Sequence, residues 1–390
     1  MPHTVGCFAL THHILLNYLP QINMSLPETY RAFRRTTGDF PRTVEPSIET
    51  VPRVLGPNDV LIKVHAVSLN FRDVAMLNGI YPMTMEDRGI PCSDAAAEVV
   101  AAGSAVEGFV TGDHVSVISD LNNITGSEDE PLYGLGGDTA GVLREYAVYQ
   151  DKHLVKLPRH LSWEEVKIAI LAIFGNPANK CLMQAATITI AGVTAWTALD
   201  GLTTASKSRS ALMQGTGGVS MFALLICLAA GIQPIITSSS DEKLEAVKKL
   251  DPRVRGINYK TTQDQGAEVR RLTDGQGVDF VINNAGPGSV PQDISFLRQR
   301  GGTVSLVGFL GGIGGDWQPA AIMALMAKSA KIKGIAVGSK EDYINLNRFL
   351  EEKKVSLSPL VDRVFSFEES PAAFEYLYSG KHAGKVIIKI

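Results

Sequence analysis

The sequence reads Ala211-Leu212-Met213-Gln214-Gly215-Thr216-Gly217-Gly218-Val219-Ser220 in its second half. An apolar run typical of a buried strand ends at Gln214, and a helical pattern begins near Val219. Glycines at such a turn let the backbone approach a pyrophosphate, while the start of the helix offers free N–H groups. A glycine cluster alone is a weak signal, but this strand–turn–helix context predicts a dinucleotide-binding site.

Predicted strands and helices alternate around this turn. Helices are predicted at 219–230 and 241–250, and the strands at 211–214, 234–237, 256–259, 278–283, 303–308 and 332–337. Apolar strands that alternate with helices are typical of a parallel sheet covered on both faces. The fold class is therefore α/β with a doubly wound sheet.

The residues before the turn follow a different pattern. Short alternating runs are separated by Gly, Pro and Asn, and they predict strands at 59–67, 96–101, 115–118 and 144–149. This pattern is typical of a compact β unit with barrel character. It returns from about Asp342 and ends in a predicted strand at 385–390. We therefore expect the β-rich unit at 24–189, the dinucleotide unit at 190–339, and a return to the first unit at 340–390.

Composition excludes several classes of protein. The 390 residues are 45% hydrophobic and carry a net charge of −3, which is typical of a globular protein. The sequence contains no Lys/Arg-rich run of the kind that binds nucleic acid. No apolar run reaches the roughly 18–20 residues of a membrane-spanning helix. Four scattered cysteines form no disulfide or structural zinc pattern. We expect a cytoplasmic protein with a small-molecule substrate and no nucleic-acid or membrane partner.

The end of the second strand of the sheet indicates which dinucleotide binds. It reads Thr237-Ser238-Ser239-Ser240, and Lys243 follows one helical turn later. An NAD site usually has Asp or Glu here to accept from the ribose 2′-hydroxyl, whereas hydroxyls and an ammonium suit a 2′-phosphate. Asp241 is interpreted as the N-cap of the next helix. Ser238, Ser239 and Lys243 therefore favour NADP(H); alternatively, the serines are only a capping run.

Several stretches between about Met24 and Ile390 resemble a known family. Besides the glycine turn, they are Ser68-Leu69-Asn70-Phe71-Arg72-Asp73, Gly79-Ile80-Tyr81-Pro82, Gly112-Asp113-His114-Val115, Ala195-Trp196-Thr197-Ala198-Leu199, Leu306-Val307-Gly308-Phe309-Leu310-Gly311-Gly312 and Gly384-Lys385-Val386. With these motifs the chain resembles the zinc-independent, quinone oxidoreductase-like branch of the medium-chain dehydrogenase/reductase family. The resemblance implies a GroES-like β-barrel domain plus a Rossmann domain, with the active site in the cleft between them.

The resemblance also raises the question of zinc. Zinc-dependent members have a cysteine where Asn70 stands and Gly-His-Glu where Cys92-Ser93-Asp94 stands. Asn70 and Ser93 are poor zinc ligands, and the region 121–141, where the structural zinc lobe would lie, contains no cysteine. We therefore expect no zinc.

Hydride transfer without a metal ion needs a substrate that already accepts a hydride. Conjugated carbonyls (quinones, enones and enals) fit, because hydrogen-bond donors can stabilise the charge that develops on their oxygen. Asn70 and Tyr81 are the candidate catalytic residues; alternatively, Asn70 caps a helix and Tyr81 packs in a loop. An NADP(H)-dependent oxidoreductase is the leading hypothesis. The alternatives are a metal-free alcohol dehydrogenase-like enzyme and a non-catalytic NADPH-binding protein.

The resemblance implies further cofactor residues beyond the glycine turn. Tyr259 and Lys385 are expected to contact the adenosine phosphate and the nicotinamide half, and Asn283, Gly308 and Phe309 end strands that usually meet the cofactor. Lys385 could instead be a solvated surface charge. Members of this family pair sheet edges across a two-fold axis, so we expect a homodimer.

Two segments have no counterpart in the family. Residues 1–23 are interpreted as a disordered or spurious leader. Residues 166–184 interrupt a stretch that is continuous in other members of the family. Their first and last codons are compatible with an unspliced intron. The alternative is a genuine loop or helix at the domain junction.

Overall fold

A computed structural model describes residues 26–82, 85–161, 182–203 and 210–390. Its described strands form a two-stranded, a six-stranded and a seven-stranded sheet. The predicted leader, and all but the last three residues of the predicted insertion at 166–184, lie outside the described residues. Of those last residues, Leu182 is buried within the apolar core.

The first unit contains the seven-stranded sheet. The strands of the unit are β1 (Thr29–Arg35), β2 (Val44–Thr50), β3 (Asp59–Ser68), β4 (Asp94–Ala102), β5 (His114–Val117), β6 (Tyr146–Gln150), β7 (Leu154–Lys156), β14 (Val361–Ser366) and β15 (Lys385–Lys389). The order in the seven-stranded sheet is β14-β15-β3-β4-β5-β7, with β6 paired to β3, so the last two strands of the chain lie in this sheet.

The second unit contains a six-stranded sheet. Its strands are β8 (Ser210–Gln214), β9 (Gln233–Ser238), β10 (Arg255–Asn258), β11 (Phe280–Asn283), β12 (Thr303–Leu306) and β13 (Lys331–Gly334). Neighbouring strands are all parallel, in the order β10-β9-β8-β11-β12-β13. Leu212 packs in one apolar cluster, while Ala211 and Met213 pack in another, so both faces of β8 are buried. The predicted α/β fold class is confirmed.

The described α-helices connect these strands. They are α1 (Phe71–Leu77), α2 (Val193–Ala198), α3 (Gly218–Ala230), α4 (Asp241–Lys248), α5 (Gln265–Leu272), α6 (Val290–Phe296), α7 (Met323–Lys328), α8 (Lys340–Lys353) and α9 (Ser370–Tyr378). No helix in the described ranges is long and apolar enough to cross a membrane.

Some element boundaries differ from the predictions. The N-cap of α4 is Ser240, whose hydroxyl accepts from the Lys243 N–H, and not Asp241, which is the first residue of the helix. The strand predicted at 332–337 ends at Gly334, and Val337 has a φ of 65°, which is incompatible with extended backbone. Val278 lies before β11 and forms an isolated bridge with Leu297.

Candidate active site

A cleft of about 410 Å³ opens where β8, β9 and β11 end. Strand β8 lies between β9 and β11. From β8 the chain adds strands first on the β9 side of the sheet and then on the β11 side, and ligands of such sheets bind at the point where the strand order reverses. The residues that line the cleft include Gln214, Gly215, Thr237, Tyr259, Asn284, Ala285, Ser289, Leu310 and Gly311. The cleft therefore lies where the glycine turn predicts a dinucleotide.

The glycine turn is an open cradle at the start of α3. Gly215 has a φ of +80°, and no atom lies within 4 Å of a Cβ built on Gly215 or Gly217. Gly217 is the N-cap of α3, so the free N–H groups of the first helical turn face this space. Thr216 is buried, whereas Val219 is half-buried at the start of the helix. These features fit a pyrophosphate group.

The residues proposed to select the 2′-phosphate lie together. Ser239 is exposed at the end of β9, and the Tyr259 N–H donates to the Ser238 carbonyl oxygen over 3.1 Å. The Ser238 hydroxyl accepts from the Ser240 N–H. The nearby carboxylate of Asp241 accepts from the Asn258 side chain over 2.8 Å. The serines thus both support the helix start and provide one exposed hydroxyl.

Lys243 has partners that the sequence did not predict. Its ammonium donates to the main-chain oxygen atoms of Gly380 (3.1 Å) and His382 (2.8 Å). These residues precede β15, so Lys243 joins α4 to the C-terminal segment. Lys243 is not among the residues that line the cleft, and its described hydrogen bonds include no carboxylate partner.

A buried charged group lies where the two units meet. The Lys385 ammonium donates to Asn70 Oδ1 over 2.6 Å and to Asp94 Oδ2 over 3.0 Å. Asp94 Oδ1 accepts from the Ile190 N–H over 2.8 Å. Lys385 is 2% exposed, so the alternative of a solvated surface charge is wrong. A Cβ on Gly218 would lie 2.5 Å from Lys385 Cδ, which places this group beside the glycine turn.

Asn70 is the N-cap of α1 and forms a reciprocal capping box with Asp73. Its N–H donates to Asp73 Oδ2 over 2.8 Å, and its carbonyl accepts from the Asp73 N–H. Burial raises the pKa of the Asp73 carboxyl above its usual value. The Asn70 Nδ2 atom is buried and has no hydrogen-bond partner among the described residues. Both the capping and the site interpretations of Asn70 are therefore compatible with the structure.

Aromatic residues from both units form a wall next to Asn70 and the cleft residue Leu310, which are their neighbours in the chain. The Phe309 ring lies 6.0 Å from the ring centroids of both Phe71 and Tyr81. The Arg72 guanidinium lies 5.8 Å from the Tyr81 ring centroid, and its Nη1 donates to Ser93 Oγ over 2.9 Å. This wall suits an unsaturated or aromatic substrate.

The side chains at the expected metal position do not fit a zinc ion. Asp94 is already neutralised by Lys385, and Ser93 accepts from Arg72. Burial raises the pKa of the Cys92 thiol well above its usual value. Within the described ranges, no group of three or more His, Cys, Asp and Glu side chains could hold a metal ion.

Asn283 is not among the residues that line the cleft, whereas its neighbour Asn284 is; Gln214 and Ser289, which the sequence did not indicate, line it as well. Asn283 Nδ2 donates to Asp293 Oδ2 over 2.6 Å, and Gln214 Nε2 donates to Asp293 Oδ1 over 2.7 Å. Burial raises the pKa of Asp293 to about 7. This hydrogen-bond network holds the side chain of Gln214, which lines the cleft. Gly308 lies against the Asn284 backbone.

A second concavity of about 790 Å³ lies near α2 and α8. Its lysines, Lys331 and Lys333, both form ion pairs with Asp200, at 2.9 and 3.1 Å. Because both lysines are already held by Asp200 and the glycine turn is not part of the lining, this concavity is not the candidate active site.

Comparison with known proteins agrees with this geometry. Residues 56–159 match the alcohol dehydrogenase GroES-like domain, and residues 218–352 match the zinc-binding dehydrogenase family. A zinc-type alcohol dehydrogenase-like protein of Schizosaccharomyces pombe is 36% identical over 352 residues, which cover 89% of this chain and 95% of that protein.

Solved structures share the whole architecture. A candidate alcohol dehydrogenase from Sinorhizobium meliloti is 28% identical with a TM-score of 0.77, covering 94% of this chain and 100% of that one. The 2-octenoyl-CoA carboxylase reductase CinF, solved with NADP and 2-octenoyl-CoA, is 22% identical with a TM-score of 0.74, covering 93% and 88%, and shows the fold alone. The chain belongs to the medium-chain dehydrogenase/reductase family, among its zinc-type alcohol dehydrogenase-like members.

Proposed function

We propose that this oxidoreductase transfers a hydride from NADPH to a conjugated carbonyl, such as a quinone, enone or enal, without a metal ion. The observation that carries the proposal is the buried contact between Lys385 and Asn70. It leaves the Asn70 Nδ2 donor without a described partner beside the glycine turn.

The glycine turn and the end of β9 support the choice of cofactor. The open cradle at Gly215 and Gly217 would receive the pyrophosphate, while Ser239 and Lys243 would face the 2′-phosphate. When bound, NADPH supplies the hydride itself, so the protein needs to bind, orient and polarise the substrate.

The site residues support a carbonyl acceptor. Asn70 Nδ2 would donate to the carbonyl oxygen and stabilise the negative charge that develops there. Tyr81 borders the same wall and would donate its hydroxyl to this oxygen or relay a proton. The rings of Phe71 and Phe309 would pack against the unsaturated part of the substrate and exclude water.

The names of the relatives favour a second candidate function. An alcohol dehydrogenase-like reaction would use the same cofactor cleft but a saturated carbonyl or an alcohol. Such a substrate requires stronger polarisation than the neutral donors Asn70 and Tyr81 provide, which is why we place this function second. A protein that binds NADPH without turnover remains the alternative outside enzymes.

The test is to follow nicotinamide absorbance with a panel of quinones, enones, enals and matched saturated ketones. We expect oxidation of NADPH with conjugated members and slow or no oxidation with their saturated counterparts. Preference for saturated ketones would favour the alcohol dehydrogenase-like reaction. Tight NADPH binding without oxidation by any member would favour the non-catalytic alternative.

We also propose a homodimer that acts in the cytoplasm. Met323 and Met326 are each more than half exposed, and they lie in α7, which is followed by the edge strand β13. Exposed apolar side chains beside an unpaired strand edge are typical of an interface between copies.

A further inference from the structure

We propose that Lys385 is a positioning residue that acts through Asn70: its ammonium fixes the Asn70 carboxamide so that Nδ2 points at the carbonyl oxygen of the substrate. This inference rests on the proposed function. It assigns to Lys385 a role other than the cofactor contact that the family resemblance implies.

Hydrogen-bond chemistry fixes the orientation of the carboxamide. An ammonium has only donors, so the Asn70 atom at 2.6 Å from Lys385 Nζ must be the acceptor Oδ1. The Nδ2 atom then occupies the opposite position, where it is buried without a partner among the described residues. An unpaired buried donor costs about 1–3 kcal/mol, which an acceptor on a bound substrate would recover.

Asp94 and Gly218 hold Lys385 in place. Both oxygens of Asp94 are used, one by the Ile190 N–H and the other by Lys385, so the carboxylate is anchored and neutralised. Ile190 lies in a π-helical turn, Ile188–Gly192, a geometry that recurs at functional sites. Gly218 leaves the space that the Lys385 stem occupies, since a Cβ there would lie 2.5 Å from Cδ. The ammonium therefore has one well-defined position.

The two possible roles of Lys385 predict different kinetics. A direct contact with the cofactor would make its loss weaken NADPH binding. A positioning role predicts that the loss lowers kcat, because the free carboxamide can then turn Nδ2 away from the substrate. It also predicts that the loss has no further effect once Asn70 has been replaced, because the two residues act as one unit.

The test is a double-mutant cycle with Asn70→Ala and Lys385→Met, using the best conjugated carbonyl of the panel. Because Lys385→Met alone leaves Asp94 without its counter-charge, the cycle is repeated with the neutral pair Asp94→Asn/Lys385→Met. Lys389→Met, an exposed lysine on the same strand, is the matched control. The NADPH dissociation constant and kcat are measured for every variant.

We expect Lys385→Met, or the neutral pair, to lower kcat about 10- to 100-fold with NADPH affinity unchanged. In the Asn70→Ala background the same substitutions should cause no further loss of kcat, and Lys389→Met should match the wild type. Weakened NADPH binding with kcat unchanged, or an equal loss of kcat in the Asn70→Ala background, would overturn the inference. If the wild type reduces no conjugated carbonyl, the proposed function itself fails and the inference falls with it.

Discussion

The Gly384 N–H donates to the Thr216 carbonyl oxygen over 2.8 Å, which joins the start of β15 to the glycine turn. Gly384 has a φ of +94°, and a Cβ there would lie 2.2 Å from the Leu360 oxygen, so only glycine fits. The next residue is Lys385, whose ammonium holds Asn70. The cofactor cradle and the candidate substrate site are therefore linked through two consecutive residues of the chain.

The first prediction concerns the choice of cofactor. Lys243→Glu should reduce the preference for NADPH over NADH by about 1–3 kcal/mol, because it replaces an ammonium near the expected 2′-phosphate with a repelling carboxylate. Lys249→Glu, at the exposed C-cap of the same helix, is the control. Affinities for both cofactors can be measured by fluorescence titration. Equal affinity of the wild type for NADPH and NADH would contradict the assignment.

The second prediction separates binding from folding at the glycine turn. Gly217→Ala should weaken NADPH binding by at least about tenfold, because the new methyl group occupies the space expected for the pyrophosphate. The φ of −79° and the open surroundings allow alanine, so the free energy of unfolding should change by less than about 1 kcal/mol. Gly314→Ala is the control, since its surroundings are also open. Unchanged NADPH affinity in Gly217→Ala would place the phosphates elsewhere.

The third prediction follows from Asp293, whose pKa is about 7 in the folded protein and 3.8 ordinarily. Between these values the folded state binds more protons than the unfolded state, so stability should fall as pH rises from about 4 to about 7. The expected loss is about 2–4 kcal/mol. Asp293→Asn should remove this part of the pH dependence in denaturant unfolding, whereas Asp274→Asn on the surface should not. Parallel curves for wild type and Asp293→Asn would refute the assignment.

The fourth prediction concerns assembly. The wild type should have the mass of a dimer in solution, and Met326→Glu should shift it to the monomer, because the carboxylate would be buried without a partner. Val110→Glu, at another exposed apolar residue on the first unit, is the control. Light scattering over a range of concentrations measures the mass. A wild-type monomer at every concentration would exclude the dimer.

Local patterns predicted most of the fold, whereas contacts between distant residues could not be predicted. Strand β8, the glycine turn and α3 follow from hydrophobic periodicity and glycine placement over about ten residues. The contact between Asn70 and Lys385 joins residues 315 positions apart, and no local pattern reports it. Asp293 reads as an ordinary polar residue on a short helix, and only packing against Gln214 and Asn283 makes it a buried acid.

The resemblance to the family supplied residues that periodicity could not. It identified Asn70, Tyr81 and Lys385 as site residues, and the structure places Asn70 against Lys385 and Tyr81 against Phe309. It also implied that Asn283 contacts the cofactor, but the Asn283 side chain instead donates to the buried Asp293 carboxyl. A family position predicts where a residue lies better than which direction its side chain takes.

The measurement that tests the central claim most directly is the rate of enone or quinone reduction by metal-stripped protein. Zinc content is measured by mass spectrometry before and after exhaustive chelation, and NADPH oxidation is followed in the same samples with and without added zinc. We predict an unchanged rate after chelation and no gain on adding zinc, because the Lys385 ammonium already neutralises Asp94 and holds the Asn70 donor. Loss of activity on chelation that stoichiometric zinc restores would contradict the account.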